Sequence, residues 1–290
     1  MKHLRVQTAL RHALAGLAAA ALVAVAGTSG PVSIGAALQA VSDIRDLAGP
    51  PYEFTTKLVD GRQIGDPLTG VAVIDRSEHG YVYRAGSQDS HLVVTQVKGG
   101  LRFADSGTPR FKGLADQCRK ARARRGVAAV CAVPSDISTK QPLLVEVWPR
   151  IGDDFLDTTR LSANFAVTML GDLGDDEARF GAGSDFFNGH MGHDRAYGGA
   201  GDDWIRTGDD ADVIRGGPGN DYLVGMLGND KIWGEDGDDW LMGMDGNDRL
   251  EPGAGTDRAS CGLGADSAVV DSDDTPLLCE LVTLDVADAG

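Results

Sequence analysis

The stretch that decides the fold is a nine-residue unit, clearest in residues 198–206, GGAGDDWIR, and residues 216–224, GGPGNDYLV. The unit recurs in unbroken register from Gly171 to Val269, eleven times in all. Its sixth position is always aspartate, at Asp176, Asp185, Asp194, Asp203, Asp212, Asp221, Asp230, Asp239, Asp248, Asp257 and Asp266. Solubility needs no fixed period, so eleven carboxylates at one spacing indicate that a divalent cation is bound repeatedly.

Each unit combines a six-residue turn with a three-residue strand. Glycines at the first, second and fourth places permit positive φ and bring backbone carbonyls into close range. The eighth place is apolar in every copy and is predicted to face the interior: Ala178, Phe187, Ala196, Ile205, Ile214, Leu223, Ile232, Leu241, Leu250, Ala259 and Ala268. Because so short a strand cannot bury its apolar side chain alone, successive units must stack as a solenoid.

Stacking places the aspartates in two columns. If each unit reverses the chain, two units make one coil of about eighteen residues, and turns on the same edge lie roughly 4.8 Å apart. One column then holds Asp185, Asp203, Asp221, Asp239 and Asp257, and the other holds Asp194, Asp212, Asp230 and Asp248. Carboxylates and inward carbonyls from two turns supply about six hard oxygens at about 2.3–2.6 Å, which suits calcium better than magnesium or zinc. The predicted carbonyl ligands belong to Gly199, Gly201, Gly217, Gly219, Gly228, Gly237 and Gly246.

The unit resembles the RTX, or haemolysin-type, calcium-binding nonapeptide repeat, G-G-x-G-x-D-x-U-x. This resemblance covers about a third of the chain and implies a calcium-stabilised parallel β-roll. Departures from the pattern are local, and the turn at Asp210, which replaces a fourth-place glycine, is expected to be kept because aspartate can adopt the left-handed conformation. The other departures are Phe180, Thr207, Pro252 and Cys261 in the first place and Asp172, His190, Met226, Glu235 and Met244 in the second.

The charge of the chain lies almost entirely on the repeats. The net charge is −16, and residues 171–269 carry 22 Asp and Glu against 7 Lys and Arg. This excess opposes compaction unless cations neutralise it. With each ion shared between turns one coil apart, eleven repeats allow at most about nine sites, or about +18. That match favours a calcium-loaded roll over a merely acidic, exposed solenoid.

The N-terminus is typical of a secretory signal peptide. Basic residues among the first eleven precede an apolar stretch at 13–27, which ends in the A-x-A sequence Ala24–Ala26 and is short for a membrane span. Residues 1–26 are therefore predicted to direct secretion, to the extracellular space or the cell surface. RTX toxins usually use a C-terminal export signal instead, so a toxin role is not implied. The chain as a whole resembles small secreted calcium-binding proteins of actinobacteria.

The four cysteines predict two disulfides, because an even count in an exported chain argues for pairing. Three connectivities are possible. Cys118–Cys131 and Cys261–Cys279 are favoured because each pair belongs to one region, and the second pair would tie residues 271–281 over the open end of the roll. Zinc binding is disfavoured because no C-x-x-C occurs.

The region before the repeats contains short alternating runs that predict strands. These runs are Val71–Ile74, Tyr81–Tyr83, Leu92–Val94, Leu101–Phe103 and Leu143–Trp148. The predicted fold is all-β: a small antiparallel β domain at 37–148, a degenerate first coil at 149–170, the β-roll at 171–269 and a disulfide-tied C-terminal cap and tail at 270–290.

Two polar clusters are better explained as surface features than as binding sites. The basic run 119–125 could bind a polyanion, but in an acidic protein it is better explained as a solvated face, and no nucleic-acid partner is expected. His190 and His193 fill variable places of one turn, which does not indicate a transition-metal site.

Catalytic signatures are absent from the sequence. RTX repeats often follow a protease or lipase, yet neither H-E-x-x-H nor G-x-S-x-G occurs. Adjacent Asp153 and Asp154 would point to opposite faces of an extended chain, so they fit the fifth and sixth places of a degenerate repeat better than an acid–base pair. The sequence predicts a non-catalytic calcium-binding protein. The alternatives are an adhesin or matrix protein, with the roll as a calcium-stiffened stalk and the N-terminal domain on a cell-wall or host-surface component, and then a secreted hydrolase with an RTX tail.

Overall fold

The computed structural model describes residues 68–285, which fall within one unit, Gly65–Gly290. The predicted signal peptide, the first part of the 37–148 region and the last five residues lie outside the described residues. Among residues 68–285 no helix is long and apolar enough to cross a membrane.

All regular structure between residues 68 and 285 is β, as predicted. The region before the repeats contains β1 (Ala72–Arg76), β2 (Gly80–Arg84), β3 (His91–Val97), β4 (Gly100–Asp105), β5 (Phe111–Leu114), β6 (Cys118–Lys120), β7 (Val127–Cys131) and β8 (Leu143–Trp148). The strands that follow are β9 (Arg150–Ile151), β10 (Phe155–Asp157), β11 (Phe165–Leu173), β12 (Glu177–Arg179), β13 (Phe186–Met191), β14 (Arg195–Tyr197), β15 (Trp204–Asp209), β16 (Val213–Pro218), β17 (Tyr222–Leu227), β18 (Lys231–Asp236), β19 (Trp240–Asp245), β20 (Arg249–Ala254), β21 (Arg258–Leu263), β22 (Ser267–Val270), β23 (Thr275–Leu277) and β24 (Leu281–Leu284).

The roll consists of two parallel sheets that face each other across the eighth-place side chains. Sheet 1 runs from β11 through the odd-numbered strands to β23, and sheet 2 runs from β10 through the even-numbered strands to β24. Between neighbouring repeat strands the register is eighteen residues, as in Trp204 against Tyr222. The predicted parallel β-roll is therefore confirmed, with about eight coils.

The predicted strand length was too short. Strands such as β15 and β17 span six residues, from the seventh place of one repeat to the third place of the next. The pairing between neighbouring strands continues through the second place of the repeat. It does so even where the residue in that place has a positive φ, as at Met226 (89°) and Glu235 (82°). A left-handed non-glycine residue costs on the order of 1 kcal/mol or more, so hydrogen bonding to the coils on both sides must hold it. Asp210, with φ of 79°, keeps its turn in the same way.

The eighth-place side chains form the core of the roll, as predicted. All eleven are at most 1% exposed, and they belong to one buried cluster that continues into the region before the repeats. There the hairpin β1–β2 extends sheet 1, while β3, β4, β7 and β6 extend sheet 2. Because β8 pairs in parallel with β2 and with β11, the two regions share their sheets, and the antiparallel strands cover one end of the roll.

Both predicted disulfides are confirmed. Cys118 pairs with Cys131 across the edge strands β6 and β7 of sheet 2. Cys261, in the first place of the last repeat, pairs with Cys279 in the cap.

Seventh-place side chains build a ladder of aromatic rings on the outer face of sheet 1. Phe186, Trp204, Tyr222 and Trp240 lie in register, and their ring centroids are 6.3, 4.9 and 5.5 Å apart in edge-to-face contact. Such pairs add about 0.5–1.5 kcal/mol each, so the central coils are stabilised on their outer surface as well as in their core.

Two leucines in β17 test the core assignment. Leu223 is fully buried, whereas Leu227, four residues later, is 47% exposed. Leu223→Ala is expected to lower the free energy of unfolding of the calcium-loaded protein by about 2–5 kcal/mol, because it leaves a cavity in a core one side chain wide. Leu227→Ala should cost about 0.5 kcal/mol or less. Denaturant titration in saturating calcium measures both, and equal losses would contradict the assignment.

Candidate metal centre

The sixth-place aspartates form two hydrogen-bonded columns. In each, the Oδ1 atom of one aspartate accepts the backbone N–H of the aspartate one coil earlier, at 2.7–2.9 Å between the repeats. Column A runs through Asp185, Asp203, Asp221, Asp239 and Asp257, and column B runs through Asp176, Asp194, Asp212, Asp230, Asp248 and Asp266. The predicted stacks are therefore present, and Asp176 and Asp266 join the second of them.

The other carboxylate oxygen of these aspartates is buried and has no hydrogen-bond partner among the described residues. This holds for Oδ2 of Asp176, Asp194, Asp203, Asp212, Asp221, Asp230, Asp239, Asp248, Asp257 and Asp266. Asp185 differs, because its Oδ2 accepts the N–H of Gly181 at 3.3 Å. Leaving a buried polar atom unpaired costs about 1–3 kcal/mol, and more when it is charged. A row of such atoms indicates that something absent from the polypeptide satisfies them.

Asp105 provides an internal comparison, since it is equally buried but fully paired. One of its oxygens accepts the N–H groups of His91 and Gly107 at 2.9 and 2.8 Å. The other accepts the hydroxyls of Tyr83 and Thr108. This chain therefore satisfies a buried carboxylate when its role is structural, and the repeats do not.

First-place glycines keep a space open beside the unpaired oxygens. A methyl group at Gly198 would overlap Oδ2 of Asp203 and approach the carbonyl of Gly216, the first-place residue one coil later. The same two kinds of oxygen surround Gly171, Gly189, Gly216, Gly234 and Gly243. These first-place carbonyls were not among the predicted ligands, although the first-place glycine was the signal for them.

The predicted carbonyl ligands lie in the turns between coils. The carbonyls of Gly199, Gly201, Gly219, Gly228, Gly237 and Gly246 each abut the α-carbon of the residue one coil later, where a methyl group would overlap them. Gly217, also predicted, has φ of 112° and packs on Gly199 in this manner. Their role as ligands stays a prediction.

The donor set fits a hard cation. Within residues 68–285, no three His, Cys, Asp or Glu side chains cluster closely enough to hold a metal by themselves. An ion in the columns must therefore be held by carboxylates together with backbone carbonyls. An all-oxygen set of this kind suits calcium, whereas zinc prefers nitrogen or sulfur.

Comparison with known families agrees with this geometry. A family model for the RTX calcium-binding nonapeptide repeat (4 copies) matches residues 188–223, 197–232 and 224–259. Residues 188–259 are RTX repeats. No curated protein and no solved structure matches the chain. RTX nonapeptide repeats bind calcium, so the match supports calcium binding by this part of the roll.

Burial sets the electrostatics of the RTX columns. Desolvation, the largest cause, raises the pKa of Asp203 to about 9 and the pKa values of Asp176 and Asp194 to about 8. It raises the pKa of Asp221 to about 7 and that of Asp212 to about 6. Without a cation these carboxylates take up protons near neutral pH, so calcium and protons compete for the same oxygens.

Sequence reasoning missed carboxylates at both ends of column B and at the end of column A. Asp154, in the degenerate repeat, donates its N–H to Asp176 Oδ1 at 2.9 Å, and its own Oδ2 is buried and unpaired. Asp274 and Glu280, beyond the last repeat, accept the N–H groups of Asp257 and Asp266. The sequence predicts the sixth place of a degenerate repeat for Asp154 but did not include it among the ligands, and no nonapeptide marks Asp274 or Glu280.

Fifth-place side chains form a separate, exposed ladder that serves as a control for the columns. Asn220 donates its N–H to Asp202 Oδ1 at 3.0 Å, and Asp238 donates to Asn220 Oδ1 at 2.9 Å. Asparagine and aspartate both occur in this ladder, which indicates that each side chain contributes one acceptor oxygen and that its charge is not required.

Neighbouring Asp203 and Asp202 therefore form a matched pair of substitutions. Asp203→Asn keeps the Oδ1 hydrogen bond but removes a buried ligand oxygen and its charge, and should raise the calcium midpoint for folding roughly tenfold, or about 1.4 kcal/mol. Asp202→Asn changes the net charge equally but alters only the exposed ladder, and should leave the midpoint nearly unchanged. Calcium titrations followed by circular dichroism compare them, and equal shifts would contradict the assignment of the columns.

The raised pKa values predict that acid stabilises the metal-free roll. Burial raises the pKa of these carboxyl groups in the folded roll from the ordinary value of 3.8 to about 6 to 9. Such a group stabilises the folded state fully below pH 3.8, and this stabilisation is lost as the pH rises through the folded pKa. In chelator, the β circular dichroism retained by the chain should therefore decrease as the pH rises from about 5.5 to about 9. In saturating calcium this decrease should be much smaller. A metal-free β signal that increases with pH would refute the assignment.

Proposed function

We propose that this chain is a secreted, non-catalytic calcium-binding protein whose RTX roll folds when several calcium ions enter its turns. The observation that carries the proposal is the row of buried Oδ2 atoms without partners. Seven of them lie beside a first-place glycine, and successive carboxylates of a column lie one coil apart. Such a position provides several hard oxygens from two adjacent turns, as calcium requires.

Charge supports the coupling of folding to calcium. Residues 171–269 carry 22 acidic against 7 basic side chains, and the sixth-place carboxylates among them are at most 4% exposed. Burying so many like charges opposes folding, while up to about nine calcium ions would supply about +18. Since a formed site exists only in the folded roll, the free energy of calcium binding becomes free energy of folding.

Export is supported by independent features of the chain. The N-terminal residues 1–26 have the pattern of a signal peptide, and both disulfides fit an oxidising environment. Calcium outside the cell is abundant enough to fill sites of modest affinity.

The non-catalytic assignment rests on where the acidic residues lie. Asp154 is buried in column B, whereas Asp153 is exposed and donates its N–H to Asp89 in the fifth-place ladder. The pair does not face a common space, which supports a structural role over an acid–base pair. Neither metalloprotease nor serine-hydrolase motifs occur in the sequence.

Removal and return of calcium test the proposal. Chelator at neutral pH should abolish most of the β circular dichroism of the full chain, and millimolar calcium should restore it, whereas equal magnesium should do much less. The fluorescence of Trp204, Trp233 and Trp240, which lie in the roll, should follow the same transition. A chelator-treated protein with an unchanged β signal would refute calcium-coupled folding.

A further inference from the structure

We propose that Asp274 and Glu280 form a carboxylate lid over the last two calcium sites of the roll, and that the Cys261–Cys279 disulfide holds this lid closed. The inference rests on the proposed calcium binding. It adds two ligands that lie outside the nonapeptide repeats and assigns a role to the second disulfide.

The lid repeats the hydrogen bond that defines the columns. Asp257 donates its N–H to Asp274 Oδ1 at 3.1 Å, and Asp266 donates to Glu280 Oε2 at 2.9 Å. The coils that deliver these carboxylates are shortened, since Arg258 pairs with Thr275 and Ser267 pairs with Leu281. Register offsets of 17 and 14 residues replace the usual 18, so no nonapeptide repeat places these carboxylates.

The sites beneath the lid need a further ligand. Oδ2 of Asp257 and of Asp266 is buried and unpaired, although these are the last aspartates of the two columns. The hydrogen bonds from the backbone of Asp257 and Asp266 bring the carboxylates of Asp274 and Glu280 to these two turns. A divalent cation held beside the unpaired oxygens would offset the repulsion between these like charges.

Asp274 is fixed within its own turn. Its Oδ2 accepts the N–H of Asp271 at 2.8 Å while its Oδ1 caps column A. Each oxygen accepts one N–H, whereas each oxygen of Asp105 accepts at least two donors, so a lone pair on each remains for an ion. The side chain is therefore oriented before any ion arrives. Such preorganisation lowers the entropic cost of completing the site.

Glu280 depends on the disulfide, because β24 has little burial to hold it. Leu281, Val282 and Leu284 are 60%, 43% and 64% exposed. A terminal strand with so little buried surface frays unless it is tied down. The tie is Cys279, the residue before Glu280, which is bonded to the fully buried Cys261.

Isosteric substitutions in the full chain test the lid. Asp274→Asn with Glu280→Gln retains the capping oxygens but removes the charges, so the variant should still fold. In calorimetric titration with calcium chloride, it should bind up to two fewer ions than the parent chain. Asp273→Asn, an exposed neighbour, is the control and should leave the count unchanged. An unchanged ion count and midpoint in the double variant would overturn the lid.

The disulfide is tested separately. Cys279→Ser should lose calcium from the end of the column that Glu280 caps, with the β signal of the roll retained. Replacing Cys118 and Cys131 by serine removes the other disulfide and should not change the ion count. A full count in Cys279→Ser would refute the role of the disulfide.

The outcome is distinguishable from failure of the proposed function. If the parent chain binds no calcium, the proposed function fails and the lid fails with it. If the parent binds calcium and Asp203→Asn weakens binding, while the lid variants match the parent, only the lid is refuted.

Discussion

This structure depends on the buried carboxylate in the sixth place of each repeat. One of its oxygens accepts a backbone N–H, and the other, except in Asp185, is left unpaired. Through Oδ1, each sixth-place aspartate fixes the spacing of two successive turns. Through Oδ2, it creates a cost that only a cation or a proton removes. The same side chain therefore sets the geometry of the coil and, under the proposed function, makes that geometry depend on calcium. Asp105, paired at both oxygens, shows that burial alone does not produce this condition.

Other features of the repeat follow because one turn must accommodate both the Oδ1 hydrogen bond and the unpaired Oδ2 atom. The first place must leave room for Oδ2 and for the carbonyl one coil later, which favours glycine at most repeats. In ten of the eleven repeats the second and fourth places adopt positive φ, with or without glycine, because the coils on both sides hold the backbone. The eighth place fills an interior only one side chain wide, and for that reason every repeat has an apolar residue there, as every repeat has aspartate in the sixth place.

The predictable part of the molecule is the part in which contacts repeat at one sequence separation. Asp203 and Asp221 meet because they are eighteen residues apart, so the columns, the core positions and the parallel register could all be derived from the period. The disulfides could be derived because each closes a local loop. Asp274 and Glu280 could not be derived from the period, since their coils are offset by 17 and 14 residues. Strands β5 to β7 were likewise missed, because their pairing is set by tertiary contacts rather than by a pattern in the sequence.

The two ends of the roll are closed in different ways. A parallel solenoid exposes an apolar core and unpaired strand edges wherever it stops. At the first end, antiparallel strands continue both sheets and bury Tyr83 and Phe103 completely, so the hydrophobic effect holds that end together. At the last end, β24 is exposed along its whole length and contributes little burial. A disulfide that closes a loop of this size contributes on the order of 3 kcal/mol, which offsets the missing burial. The last end of the roll is thus held by a covalent bond rather than by burial.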